Sequence, residues 1–299
     1  MTISLPTLYL INIINELEFP VSIRLRWLGT ACFEIQLSNG EGLIIDPYLD
    51  DSLTCPIASR EIERGDLICI THGHFDHVLD VGRLANRLGS TVVCSHVVAQ
   101  NIQNRFHVPE VQIQAVTAGD RLKIGSIQVE VVKAVHIDNR SYFAEQLGVE
   151  LTEEITALDM VKRVFNTIEN REVRNKLLSH MGKYPAGEQL NYIFQFPGNL
   201  RLYFFGSTPD PKLVPILEGC KAQILILQIL KGREEGAAEA AFTSGAGIVF
   251  PSHHDPFFPG QKVPDLNKVR SLLKRNKGVH FIELEAGKWY EIDTPVREA

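Results

Sequence analysis

Three histidines and an aspartate stand close together, directly after an apolar run that predicts a buried strand. The segment reads LICITHGHFDH and contains His72, His74, Asp76 and His77. Neutral imidazole and carboxylate groups are the ligands that zinc and neighbouring divalent metals prefer, and a loop at the end of a strand can direct several of them at one point. Gly73 lets the backbone turn sharply between the first two histidines. The density and order of these groups predict a metal site, whereas a lone histidine would indicate only a solvated loop.

The elements around this segment are short strands separated by turns. Apolar runs of β type occur at 23–28, 31–37, 42–45, 67–71 and 91–94, and Asn39 with Gly40 predicts a hairpin turn. After Asp76 the apolar residues recur at helical spacing until Gly89 ends the segment. Further strands are predicted within 111–135 and at 190–196, 200–205, 222–230, 247–250, 279–284 and 288–292, and further helices at 234–242 and 266–275. The candidate metal loop therefore lies where a strand ends and a helix begins.

A more helical composition occupies about residues 141–185. Apolar residues at helical spacing predict two helices there, one over 155–168 and one over 173–181. We interpret the segment as a helical cap insertion within one domain that spans 21–299, and residues 1–20 as an N-terminal extension.

The order H-x-H-x-D-H after a threonine and a strand resembles the first motif of the metallo-β-lactamase superfamily. RLRWLGTACFEI resembles the first hairpin of that family, with Gly29 at its turn, and GLIIDPYL resembles its early strand, which ends here in Asp46. The resemblance implies an α+β fold, a four-layer αββα metallo-β-lactamase-like sandwich with a helical insertion and a metal site at one edge. With the strand end VEVVKAVH and the late segment IVFPSHHDPFF, it implies two sets of ligands, one for each of two metals: His72, His74 and His136, and Asp76, His77 and His253.

The match is incomplete at two positions. His254 stands beside His253 and competes for the last ligand role, and we favour His253, which is two residues after a proline. Where the family has an aspartate that bridges the two metals, this sequence has Ser207, and a hydroxyl is a much poorer ligand than a carboxylate. The replacement predicts one of three outcomes: a single metal, two metals with help from Asp210 or an anionic substrate, or a degenerate site.

The resemblance to the lactonase-like branch of the superfamily implies a metal-dependent hydrolase that acts on a small ester, lactone or phosphodiester. Without the bridging aspartate the site is more positive, so we expect the substrate to be anionic. Zinc is the expected cofactor, as one or two ions, with Mn²⁺ or Fe²⁺ as alternatives. We expect Asp76 to orient or deprotonate the attacking water, and Asp46 to hold a ligand histidine by its second nitrogen. His254 or His96 is the candidate for stabilising the negative charge of the transition state.

Two further interpretations follow from the same resemblance. The connection that holds the insertion overhangs the metal site in such folds, so the insertion is expected to grip the substrate, with a homo-oligomer interface as the alternative. Tyr142, Phe143 and Tyr184 flank it and either line a pocket or pack the insertion. A binding or sensing protein that kept the scaffold and lost efficient catalysis is the alternative function, and Ser207 is the feature that motivates it.

Charge and composition exclude other classes of protein. The 299 residues carry 30 basic and 36 acidic side chains with both signs scattered, so no basic stripe offers a nucleic-acid footprint. The apolar stretches fall far short of the ~20 residues that span a bilayer, and the amino terminus lacks the pattern of a secretory signal. The five cysteines are never spaced as C-x-x-C, which predicts buried free thiols. We therefore expect a cytoplasmic protein whose partner is a small-molecule substrate rather than a membrane or a nucleic acid.

Overall fold

The short apolar runs form two mixed β-sheets that pack face to face. The computed structural model describes residues 10–12, 21–150, 155–207, 214–256, 258–274 and 278–294. The strands of these ranges are, in chain order, β1 (Leu10–Asn12), β2 (Val21–Trp27), β3 (Phe33–Leu37), β4 (Gly42–Ile45), β5 (Leu67–Cys69), β6 (Thr91–Ser95), β7 (Ile113–Val116), β8 (Arg121–Ile124), β9 (Ile127–Lys133), β10 (Leu190–Gln195), β11 (Arg201–Phe205), β12 (Ile224–Gln228), β13 (Ile248–Ser252), β14 (His280–Phe281) and β15 (Tyr290–Thr294). The first sheet has the order β1-β15-β2-β3-β4-β5-β6-β7, and the second has the order β14-β13-β12-β11-β10-β9-β8.

The helices of the described ranges cover the outer faces of the sheets or lie between strands. They are α1 (Phe75–Val78), α2 (Val81–Leu88), α3 (His96–Phe106), α4 (Asn139–Leu147), α5 (Ala157–Asn166), α6 (Arg171–His180), α7 (Glu234–Ser244) and α8 (Leu266–Leu273). Buried side chains such as Leu84 and Ile102 pack α2 and α3 on the first sheet, and Ala240 and Val269 pack α7 and α8 on the second. The inner faces form one apolar core between the sheets. This arrangement is the four-layer αββα sandwich of the α+β class, as expected.

Strand direction brings the candidate ligands to one edge of the sandwich. β4, β5, β6 and β7 run parallel in the first sheet, and β11, β12 and β13 run parallel in the second. Because the carboxyl ends of parallel strands share an edge, Asp46 after β4, His72 after β5 and His253 after β13 emerge on the same side. The antiparallel pairing of β9 with β10 brings His136 to that edge as well.

Two helix predictions differ from the structure. The predicted helix that ends at Gly89 is divided into α1 and α2 at Asp80, whose backbone, with φ of -100° and ψ of 2°, is not helical. The Asp80 carboxylate accepts hydrogen bonds from the backbone of Leu49 (2.7 Å) and Asp50 (3.1 Å). The predicted end at Gly89 is confirmed, since this residue caps α2 with φ of 71°. The sequence predicts two helices in the segment 141–185, whereas the structure has a further helix, α4, before α5 and α6. Its buried residues 142–144 are consecutive, so helical spacing did not reveal it.

The insertion packs on an apolar cluster of its own. Tyr142, Met160 and Phe165 are buried together with Leu230 and Phe258 of the main fold. Outside the insertion, β1 lies within the predicted N-terminal extension and pairs in parallel with β15. None of the described helices combines the length and the apolar character that crossing a membrane would require.

Candidate metal centre

Three imidazole nitrogens converge at the edge of the sandwich. His72 Nε2 lies 3.0 Å from His74 Nδ1 and 3.2 Å from His136 Nε2, and the last two atoms are 3.0 Å apart. We call these residues the three-histidine group. In a tetrahedral site with Zn–N bonds of about 2.0–2.1 Å, ligand nitrogens are separated by about 3.3 Å. The observed triangle is therefore close to the size that one such cation requires.

Hydrogen bonds made by the Nδ1 atoms of His72 and His136 orient two rings of this group. His136 Nδ1 donates to the Ile137 carbonyl at 2.6 Å, because a carbonyl oxygen can only accept. The Thr71 hydroxyl donates to Asp46 at 2.7 Å and so accepts from His72 Nδ1 at 3.1 Å. In the neutral form of both rings, the Nε2 lone pairs then face the centre of the triangle, as metal ligands require.

A second set of groups lies beside the first. Asp76 Oδ2 is 3.6 Å from His77 Nε2 and 3.4 Å from His253 Nε2, and all three residues are buried. We call them the aspartate group. The carboxylate of Asp46 accepts a hydrogen bond from His77 Nδ1 at 2.8 Å, the interaction expected of an aspartate behind a ligand histidine. Each of the two groups could hold one metal ion.

A buried loop contact positions His253. Its backbone is left-handed, with φ of 54°, and its N–H donates to the Thr30 carbonyl at 2.8 Å. Asp255 in turn accepts the Thr30 N–H with both carboxylate oxygens, at 3.0 and 2.9 Å. The loop after β2 is thus tied to the loop after β13, and the ring of His253 is held toward Asp76.

Burial and neighbouring charge favour the forms that bind a cation. Desolvation lowers the pKa of His72 well below its usual value and, with the nearby His136, lowers the pKa of His74 to about 4. The pKa of His136 is also lowered by burial. Burial opposes ionisation of Asp76, but the neighbouring His77 and His253 hold its pKa well below the ordinary range. The three-histidine group is therefore neutral and Asp76 anionic near pH 7.

The acid–base behaviour of His77 is different. Burial lowers its pKa, but the carboxylates of Asp46 and Asp76 outweigh this effect and raise it above the ordinary value. A proton therefore competes with a cation for His77 Nε2 up to a higher pH than it would at an ordinary imidazole.

The loop that carries the cluster requires Gly73 for a reason other than its turn. A Cβ atom at this position would lie 2.0 Å from the Pro185 carbonyl oxygen. The Gly73 N–H donates to the Ala186 carbonyl at 2.8 Å. The chain that returns from the insertion thus passes directly against the candidate metal loop.

Two predicted residues contact side chains or backbone groups other than the candidate ligands. Ser207 is fully buried, and its hydroxyl accepts from the Val135 N–H at 3.2 Å and donates to Asn191 at 3.3 Å. His254 stacks on Trp27, with ring centroids 4.4 Å apart. Neither lines the cavity above the metal centre. Asp210, the proposed substitute carboxylate, lies outside the described residues.

The remaining accessory candidate is His96. It is the first residue of α3 and is exposed, and it does not line the cavity above the metal centre.

A cavity of about 260 Å³ opens above both groups and beneath the insertion. All six predicted ligands line it, and the insertion contributes mostly apolar side chains: Tyr142, Phe143, Leu158, Val161, Phe165 and Met181. Tyr184 also lines it, and lining a pocket is one of the two roles that the sequence suggests for this residue. Asp76 is the one carboxylate among the described residues of the lining, which include no lysine or arginine.

Several polar residues of the lining were not identified from the sequence. Gln189, Gln228 and His180 come from three different segments of the chain. Gln189 and Gln228 stand at or beside the ends of apolar strands, at the edge where the ligands emerge. A polar residue at such a strand end is the signal that could have indicated them.

A histidine- and aspartate-lined centre at the edge of an αββα sandwich defines the metallo-β-lactamase class of protein. A family model described as "Beta-lactamase superfamily domain" matches residues 42–157, which contain the first cluster and His136. A "UPF0173 metal-dependent hydrolase" of Myxococcus xanthus is 34% identical over 257 residues, 83% of this chain and 78% of that protein. A protein with the same description from Rubrobacter xylanophilus is 26% identical over 79% of this chain and 84% of its own length. The chain belongs to this family of metal-dependent hydrolases, within the metallo-β-lactamase superfamily.

The solved structures agree on the fold. A novel metallo hydrolase from the archaeon Ignicoccus hospitalis superposes with a TM-score of 0.62 at 16% identity, over 92% of this chain and 100% of the other. At this identity the likeness extends to the fold alone.

Proposed function

We propose that the protein hydrolyses a neutral ester or lactone that carries an apolar chain, with His72, His74, Asp76, His77, His136 and His253 as the metal ligands. The observation that supports this most directly is the cavity, where a centre of imidazoles and one carboxylate lies beneath a wall of apolar side chains. A divalent cation bound there would lower the pKa of a water from about 15.7 towards ~7 and polarise the carbonyl that is attacked.

The lining favours a neutral substrate over the anionic one expected from the charge of the site alone. The described lining offers no lysine or arginine to balance the negative charge of a phosphodiester. Leu158, Val161 and Phe165 instead offer apolar contact to a hydrocarbon chain. The reactive carbonyl would lie at the ligand groups and the chain beneath the insertion.

The residues of this chain have distinct parts in the reaction. Asp76 is anionic near pH 7, so it binds the cation and accepts a hydrogen bond from the attacking water rather than acting as a general acid. Asp46 acts through His77 and keeps its ring oriented. The apolar wall excludes bulk water around the reacting carbonyl, which strengthens every polar interaction there.

The first test is metal content and turnover. Purified protein is analysed for Zn, Mn and Fe and assayed on neutral esters and lactones of increasing chain length and on a phosphodiester. Burial of each methylene contributes about 0.8 kcal/mol, so kcat/KM is expected to rise about fourfold per methylene until the cavity is filled. A preference for the phosphodiester, or no dependence on chain length, would contradict the proposed substrate class.

Two pairs of variants separate the parts of the proposal. His72→Ala is expected to lose the metal and keep the fold, whereas His96→Ala, an exposed position on α3, retains it. Val161→Lys places a cation in the lining and is expected to weaken the binding of long neutral substrates. Val263→Lys, at an exposed position outside the lining, is expected to leave their binding unchanged.

A second candidate function is metal-dependent binding or sensing without efficient catalysis. It is favoured by Ser207, whose hydroxyl is hydrogen-bonded within the sheet and supplies no carboxylate to the centre. Stoichiometric metal without turnover on the whole substrate panel would support this candidate, and Ser207→Asp would then be expected to raise the metal affinity.

A further inference from the structure

The side chain of Gln189 carries a buried oxygen without a hydrogen-bond donor. The residue is 8% exposed, and its Oε1 atom has neither solvent contact nor a partner among the described residues. Buried polar atoms of native proteins nearly always have a partner, which can be a group that binds from solution. Gln189 also lines the cavity above the metal centre, so a group bound there can supply the missing partner.

The amide orientation is determined by its nitrogen. Gln189 Nε2 donates to the Gly206 carbonyl at 3.1 Å. A carbonyl oxygen can only accept, so this contact distinguishes the amide nitrogen from the amide oxygen. Turning the amide over would place two oxygens against each other. Oε1 is therefore the amide atom that is available to another partner.

Backbone contacts place Gln189 between the two strand ends that carry the three-histidine group. Its own carbonyl accepts the N–H of Ala134 at 3.1 Å, two residues before His136. The N–H of the following residue donates to the Thr71 carbonyl at 2.8 Å, directly before His72. The side chain lines the same cavity as both histidines.

The composition of the centre gives this oxygen a role. The two candidate groups contain five imidazoles and a single carboxylate, that of Asp76. The Ser207 hydroxyl is already hydrogen-bonded to Val135 and Asn191, and it supplies no carboxylate. We propose that Gln189 Oε1 is an additional oxygen ligand for a cation held by the three-histidine group. This inference rests on the proposed function only in requiring that the centre binds a metal.

An amide oxygen would also affect which metal is bound. Carbonyl and carboxylate oxygens suit Mn²⁺, whereas imidazole suits zinc, copper, iron and nickel. Loss of the Gln189 oxygen is therefore expected to weaken Mn²⁺ binding more than Zn²⁺ binding. The amide is neutral, so it supplies an oxygen ligand without lowering the net charge of the centre.

Two substitutions at this position distinguish a ligand from a structural role. Gln189→Met and Gln189→Glu both remove the hydrogen bond to Gly206, but only the first removes the oxygen. Gln195→Met, at the other end of β10, is the matched control, because its amide donates to Asn199 and not to the site. Affinities for Mn²⁺ and Zn²⁺ are measured by competition with a chromophoric chelator. The melting temperatures of the metal-free proteins report the structural cost of each substitution.

The two Gln189 substitutions are expected to affect the Mn²⁺ affinity differently. Gln189→Met lowers the Mn²⁺ affinity by roughly 10- to 100-fold, the size of effect seen when a group that supports a metal site is lost. Gln189→Glu, with an anionic oxygen, keeps or raises that affinity although its metal-free melting temperature falls as much. Visible absorption of the Co²⁺-loaded protein changes in the Met variant and not in Gln195→Met, because the coordination number falls.

Equal losses in both Gln189 variants, or no loss in either, would overturn the proposal. If the unsubstituted protein binds metal in those cases, the proposed function stands and only the role of Gln189 is wrong. If the unsubstituted protein binds neither ion, the proposed function and the role of Gln189 are both overturned.

Discussion

The buried carboxylate of Asp46 determines which nitrogen of His77 carries a proton. Its Oδ2 atom accepts from His77 Nδ1 at 2.8 Å, which leaves Nε2 directed at Asp76. In Asp46→Asn, an amide NH₂ can take the place of Oδ2 and donate to Nδ1. The proton then moves to Nε2, the atom that is needed as a ligand in the aspartate group.

The size of the effect follows from the contacts of this carboxylate. Oδ1 accepts the Thr71 N–H at 2.7 Å, a bond that the asparagine keeps, whereas Oδ2 accepts both His77 and the Thr71 hydroxyl. Hydrogen bonds to a charged group contribute ~1.5–3 kcal/mol each, and both partners can reorient, so we expect the metal-free protein to lose about 3 kcal/mol of unfolding free energy. Loss of such a supporting carboxylate typically weakens metal binding by roughly 10- to 100-fold.

The assay combines three measurements. Urea unfolding of the metal-free protein gives the stability, calorimetric titration with Zn²⁺ gives the affinity of each site, and long-range ¹⁵N–¹H correlation spectra give the tautomer of His77. Asp66→Asn is the control, since this carboxylate accepts the Gly42 N–H at 2.7 Å at the opposite end of β5. Unchanged affinity for every ion in Asp46→Asn, with the proton demonstrably on His77 Nε2, would refute the reasoning.

Three other predictions concern the loop, the histidines and the insertion. Gly73→Ala places a Cβ 2.0 Å from a carbonyl oxygen and is expected to lower the urea midpoint far more than Gly89→Ala does. At Gly89 nothing lies within 4 Å of the added Cβ, and the loss of unfolding free energy is about 1 kcal/mol. Equal midpoints would contradict the close contact at Gly73. Burial lowers the pKa of His74 from 6.5 to about 4, so the unfolded state binds more protons than the folded state between these pH values. The unfolding free energy of the metal-free protein is therefore expected to fall by about 3 kcal/mol, from this group alone, as the pH falls from 6.5 to 4. The lowered pKa values of His72 and His136 act in the same direction as that of His74, whereas the raised pKa of His77 acts in the opposite direction. A stability that rises on acidification in urea titrations would contradict the lowered pKa of His74. Phe165→Ala is expected to lower the unfolding free energy by ~3–5 kcal/mol and to raise KM for long-chain esters, with the metal content unchanged. A loss of metal instead would show that the insertion supports the ligands.

The location of the site could be predicted from the sequence because it has local signals, and the sandwich was implied by the family resemblance that these motifs carry. The motif from His72 to His77 is contiguous, and the end of an apolar strand marks the positions of Asp46 and His253. The structure brings His136 to the same point, in agreement with the order of motifs along the chain. The assignment of these residues as metal ligands stays a prediction until metal is measured.

Features that depend on contacts between distant segments could not be predicted. Gly73 was interpreted through its turn, whereas the carbonyl that excludes a side chain there belongs to Pro185. The partners of Ser207 come from two other strand regions, so the sequence indicated a missing carboxylate but not what the hydroxyl does instead. The orphaned oxygen of Gln189 has no sequence signal, because an unsatisfied acceptor is defined only by its surroundings.

Both ends of the helical insertion are attached at the metal centre. His136 stands directly before it, and the Ala186 carbonyl on its return accepts the N–H of Gly73, between two candidate ligands. A substrate that stiffens the insertion would therefore act on the same backbone that holds the cation. By thermodynamic reciprocity, any factor by which substrate tightens the metal is also the factor by which metal tightens the substrate. The amount of metal that the protein retains against a chelator thus becomes a measure of substrate occupancy, even for a substrate that is never turned over.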